Sequence, residues 1–156
     1  MKTFVIIFVV LLTMVSCKNQ KSPHEAIEKF NSLAIDFETS VRKAEMYLRL
    51  ADKHCHQSGY TTFGDPDYLR TKKLFQKEAQ EAEKRLLVCC ELATVDAHFN
   101  YVYHAARYET VLSSGDFYFD HEKIIKTIFD NENFVPSPDW IDYAQKILGR
   151  KFYAIK

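Results

Sequence analysis

The stretch PHEAIEKFNSLAIDFETSVRKAEMYLRLADKHCHQ, residues 23–57, decides the fold. Ala26, Phe30, Leu33, Phe37, Val41, Ala44, Leu48, Ala51 and Cys55 recur along it at a mean spacing of about 3.6 residues. That is the period of a straight α-helix packed in a globular bundle, not the 3.5 of a coiled-coil seam. Ser22-Pro23-His24-Glu25 reads as a capping box with proline at the first helical position. Off the stripe, Glu38 precedes Arg42 by four residues, the favourable order for an ion pair on a solvated face. A helix of this length, about 52 Å, cannot bury a continuous apolar stripe alone and needs a partner.

The partner follows at about 66–113. Asp65-Pro66-Asp67 supplies a cap, a first-turn proline and an acid at the positive end of the helix dipole. Phe75, Ala79, Ala82, Leu86, Cys89 and Ala93 continue the 3.6-residue period. The 48 residues would make a single helix about 72 Å long, well beyond its mate. The seam also moves after Leu92, to Val95, Phe99, Val102 and Ala106, and residues 97–108 are apolar or aromatic nearly all round. A bend or break between Glu91 and Asp96 is expected, with the second half buried centrally. Two shorter helices are expected at about 120–131 and 138–148, the latter started by Ser137-Pro138-Asp139, again a polar cap before proline. Gly59, Gly115 and Gly149 follow the ends of helical patterns, where a left-handed residue is wanted. The expected fold is all-α: a long helical hairpin with two shorter helices packed on it, a helical bundle forming one domain over 23–156.

The first residues belong to a different regime. Lys2 precedes nine uninterrupted apolar residues from Phe4 to Leu12. The apolar segment, Thr3 to Val15, spans only about 20 Å as a helix, against roughly 30 Å for a bilayer core. It is the length of an export signal. Leu12-Thr13-Met14-Val15-Ser16-Cys17 ends it. Met14 is large for ordinary secretory cleavage, which prefers a small residue there. With an aliphatic-like residue three before a cysteine and a small one just before it, the segment resembles the lipobox of bacterial lipoprotein precursors, with Met14 where leucine is usual. The resemblance covers residues 1–17. It implies a signal peptide over 1–16, acylation of Cys17 (the palmitate-bearing anchor of that class), a lipidated tether over 17–22 and a protein held on a membrane. Lys18 is not the acidic residue associated with inner-membrane retention, so the resemblance implies an outer membrane lipoprotein facing the periplasm. At about 3.5 Å per residue the tether reaches less than about 20 Å.

Removal of residues 1–16 takes out Lys2 and leaves 20 Lys+Arg against 21 Asp+Glu, a net charge of −1. There is no basic excess to neutralise a phosphate backbone, which argues against nucleic acid as a partner. Cys55, Cys89 and Cys90 remain after Cys17. In a straight hairpin Cys55 faces roughly Tyr68, about 31 Å from Cys89, far outside disulfide range. Buried thiols behaving as small apolar residues are the expected state; a disulfide would need a break in the second helix closer to the loop. His54-Cys55-His56 places two imidazoles two residues apart, on opposite sides of a helix, and cannot share an ion there. Neither a metal nor a cofactor is called for.

His98, His104 and His121 fall close to Asp96, Tyr101, Tyr103, Tyr108 and Glu109, and could form a polar cluster in a cleft. The C-terminal third is rich in aromatics, of which Tyr118 and Trp140 are candidates for an interface. No G-x-S-x-G, H-E-x-x-H, phosphate-loop or EF-hand pattern occurs. The leading expectation is a lipid-anchored cell-envelope protein that acts by binding another protein, as an assembly accessory, an inhibitor or an immunity-type factor. A small-ligand or metal-binding envelope protein is the alternative, and an enzyme a distant third.

Overall fold

Helix α1, Pro23–Gln57, buries the stripe read from the sequence: Phe30, Ala34, Phe37, Val41, Ala44, Leu48 and Ala51 all lie inside. The structure is a computed structural model that describes residues 23–57 and 65–149. Cys17, the export segment, Ser22, Gly59 and the tail from residue 150 lie outside the described residues. Among those described there are helices and no strands. No described helix is long and apolar enough to cross a membrane.

Helix α2, Pro66–Leu92, opens as expected: Asp65 is extended and its Oδ1 accepts the backbone N–H groups of Asp67 and Tyr68 at 2.9 and 3.4 Å. It packs antiparallel along α1 and forms the main interface of the molecule. Arg85 Nη1 donates to the Asp36 carbonyl at 3.0 Å, while Phe75 and Leu48 meet over Gly115 some way along. Phe75, Ala79, Ala82, Leu86, Cys89 and Cys90 are buried against α1.

The expected break is present. Helix α2 stops at Leu92, Ala93 and Val95 are extended, and α3 runs Asp96–Ala105. A 3₁₀ turn over Ala106–Tyr108 then passes into the short α4, Glu109–Ser113. The break is a reversal, not a bend. His98 stacks on Phe30 with ring centroids 4.3 Å apart, Tyr108 lies 6.1 Å from Phe37, and Gly115 reaches Leu48. The α3–α4 segment therefore runs back alongside α1 and antiparallel to α2. Phe99, Val102, Ala105, Ala106 and Leu112 are buried, which places this segment centrally as anticipated.

Helix α5, His121–Phe129, is capped by Asp120, whose Oδ1 accepts Lys123 N–H at 3.0 Å. It descends parallel to α2: Asp120 N–H donates to Glu83 at 2.8 Å, and Asn131 reaches Glu91 and Ala93. Helix α6, Pro138–Leu148, climbs beside α3, with Ser137 N–H on Asp96 at 3.4 Å and Tyr143 hydrogen-bonded to Tyr103 at 2.5 Å. Successive segments alternate in direction through the whole bundle. The start of α1, the 93–95 break and the 130–137 loop share one end.

Two local expectations are corrected. Ser137 has the extended cap backbone, but its side chain makes no cap hydrogen bond. Gly149 does take the left-handed conformation, at φ 61°. Gly115 does not; the left-handed residue is Asp116, at φ 63°. Gly115 is instead required by crowding, because a Cβ there would fall 2.5 Å from Phe75 Cε1 and closer still to Cζ.

Candidate functional site

A cleft of about 500 Å³ lies beside the 3₁₀ turn, between α1 and the α3–α4 segment. Glu38 of α1 forms one side; Tyr101, His104 and Ala105 of α3, Arg107 and Tyr108 of the turn, and Thr110 and Val111 form the rest. The walls are mostly apolar. Six of the eight lining residues nonetheless carry a polar group, and these differ in how they are engaged.

Glu38 was read as one half of a solvated ion pair. It is instead drawn partly inside, its Oε1 accepting the Tyr101 hydroxyl at 2.9 Å and its Oε2 3.8 Å from Arg42 Nη2. Burial, then the hydrogen bond and charge of Glu38, push the Tyr101 phenol well above its ordinary range. The hydroxyl therefore stays protonated and donates. The turn's Arg107 carbonyl accepts Thr110 Oγ1 at 2.8 Å. Among the described residues, the Arg107 guanidinium, the Tyr108 hydroxyl and the His104 imidazole have no hydrogen-bond or ion-pair partner.

Of the residues singled out from the sequence, only His104 and Tyr108 come together here. His98 points elsewhere, its ring flat on Phe30 and its Nδ1 buried without a hydrogen bond. Trp140 packs among Phe99, Tyr103 and Tyr143, with its ring 4.0 Å from Phe99. Tyr118 stands apart on the 114–120 loop and is 66% exposed. That loop is fixed by Glu109, whose carboxylate accepts the Phe119 N–H and contacts His121 Nε2 at 2.6 Å. Glu38 and Arg107 were missed as site residues, because one sits on another helix and the other reads as an ordinary surface arginine. The nearness of Tyr101 to His104 and Tyr108 was the only sequence signal.

No family model, curated protein or solved structure matches this chain. The cleft must therefore be read from its own chemistry.

The cysteines add no chemistry to it. Cys89 and Cys90 are free and buried, so neither bridges to Cys55. Burial first, then the Asp36 charge, pushes the Cys89 thiol up to about 11. Burial raises Cys90 further, and Cys89 beside it adds to the shift. Helix α1 continues to Gln57, so His54 and His56 remain on different sides of it.

Proposed function

We propose that this chain is a lipid-tethered protein of the bacterial cell envelope that works by binding, through the cleft between α1 and the α3–α4 segment. Cys17 and the export segment before it carry the anchoring part of this reading, and an outer membrane position facing the periplasm goes with it. The observation that carries the binding part is the cleft itself. Its volume of about 500 Å³ falls within the range of about 300–1,000 Å³ typical of small-ligand sites, and its walls combine mostly apolar area with polar side chains.

A concave site of this kind favours a small ligand over a flat protein interface. Protein binding is the second reading, supported by Tyr118 at 66% exposure on a loop that Glu109 holds in place. Aromatic side chains so displayed are common interface anchors.

Native mass spectrometry of the full chain, extracted gently from its membrane, separates the two. A small molecule should travel with the protein and be absent from Thr110→Trp, which fills the cleft mouth from an exposed position. Capture of a protein partner by the native chain and by Thr110→Trp alike, but not by Tyr118→Ala, would favour the second reading instead.

A further inference from the structure

We infer that the cleft takes a small ligand carrying one carboxylate on an apolar or aromatic body. The inference rests on the binding reading above and names the chemistry of the same site.

The argument is an account of donors and acceptors. The cleft has one carboxylate, Glu38, whose Oε1 accepts the Tyr101 hydroxyl at 2.9 Å and whose Oε2 lies 3.8 Å from the Arg42 guanidinium, a loose ion pair. The Arg107 carbonyl is taken by Thr110. Without a protein partner among the described lining groups are the guanidinium of Arg107, which can only donate, and the hydroxyl of Tyr108 and imidazole of His104, which can donate or accept. A guanidinium presents a planar fork of N–H donors that matches a carboxylate bidentately. A ligand ammonium group would stand beside the like charge of the Arg107 guanidinium, which opposes it.

Charge narrows the class further. Glu38 has Arg42 beside it at 3.8 Å, which leaves the Arg107 guanidinium as the unpaired charge among the described lining residues. That suits a monoanion. A phosphate dianion would leave one charge uncompensated in a half-enclosed site, close to Glu38. The body of the ligand is set by Ala105, Val111 and the rings of Tyr101 and Tyr108, with Phe37 behind Tyr108. Rings of this kind accept an aromatic or branched apolar group at little entropic cost.

Three isosteric probes test it: 2-naphthoate, the neutral 2-naphthamide and the cationic 2-naphthylmethylammonium. Each is titrated calorimetrically into the lipidated full chain in nanodiscs, with empty nanodiscs subtracted. Naphthoate should bind tightest, with the amide about tenfold weaker and the cation weakest, as expected for one charge-assisted hydrogen-bonded pair. Arg107→Gln should weaken naphthoate about tenfold and leave the amide unchanged; Arg107 is exposed, so circular dichroism should report an intact fold. Thr110→Trp should abolish binding of naphthoate. Equal binding of amide and naphthoate, tighter binding of the cation, or a silent Arg107→Gln would overturn the carboxylate inference and leave the binding reading standing. Naphthoate binding unchanged in Thr110→Trp would place the ligand elsewhere and overturn it too. No binding of any of the three would count against both.

Discussion

Gly115 and Gly149 look alike in sequence, each just after a helical pattern, yet they are glycines for different physical reasons. At Gly149 the backbone is left-handed, and nothing lies within 4 Å of where a Cβ would go. Alanine there should cost about 1 kcal/mol of stability through strain alone. At Gly115 the backbone is ordinary, but the Phe75 ring occupies the Cβ position. Gly115→Ala should cost more, about 1–3 kcal/mol, by forcing Phe75 and Leu48 out of a filled core. Urea unfolding of both variants checks the order, and equal losses would mean that Phe75 yields easily. The sequence marks both positions but cannot tell strain from crowding, because the crowding residue lies 40 positions away in the chain. Cys89 gives a second expectation. Its folded value of about 11 lies above the ordinary thiol value of 9.0. The unfolded thiol ionises first, so the stability tied to the neutral thiol is complete below pH 9 and is lost as pH rises toward 11 and beyond. Tyr101 and Tyr143 are shifted in the same direction. The melting temperature should therefore fall steeply above pH 9, and less steeply in Cys89→Ala. A slope identical in the two proteins would assign the loss to Cys90 and the tyrosines instead.

At the scale of elements, the junction between α2 and α3 shows what a single sequence does and does not contain. The shift of the apolar stripe after Leu92 located the break between Glu91 and Asp96, although no proline or glycine lies there. The direction of the chain after it was not legible. Beyond its end, α2 leaves carbonyls that its own helix cannot satisfy. Asn131 Nδ2 satisfies two of them, donating to Glu91 O at 3.0 Å and Ala93 O at 2.5 Å. Ser137 N–H meets Asp96 just beyond. The reversal is thus held by the 130–137 loop, about 40 residues later, and no local pattern could announce it. Asn131→Ala should destabilise the protein by about 1–2 kcal/mol, the loss of one exposed hydrogen bond to the Glu91 carbonyl and one half-buried hydrogen bond to the Ala93 carbonyl. It should also speed amide exchange over 93–99 more than over 75–86. Uniform acceleration along the chain would show that the junction has no local stability of its own. The same dependence on distant partners explains the candidate site. His104 and Tyr108 were legible because both lie on one segment; Glu38 was not, because only tertiary packing brings α1 to Tyr101.

For the whole molecule, alternating helix directions place the start of α1 at the same end as the α2–α3 and α5–α6 junctions, as the hydrogen bonds of Asn131 and Ser137 record. Glu38 lies 15 residues beyond Pro23 along α1, about 22 Å from that end. If Cys17 carries the anchor, the tether of residues 17–22 adds at most about 20 Å more. The cleft would then sit some tens of ångströms from the bilayer, on the side of the bundle and clear of the lipid, where confinement raises its effective concentration toward membrane-bound sources of ligand. Anchoring and binding should therefore separate cleanly, because no described residue of the cleft belongs to the first turns of α1. Cys17→Ser should move the protein from the membrane pellet to the soluble fraction, or leave an uncleaved precursor. It should not change the affinity of the purified body for naphthoate by more than about twofold. A single acyl chain holds a protein only marginally, whereas two or more hold it stably, so native protein should resist extraction by high salt and yield only to detergent. Mature Cys17→Ser protein that is still cleaved and still needs detergent for release would mean that the anchor lies elsewhere in the chain. A fall in naphthoate affinity would instead mean that the tether takes part in the site.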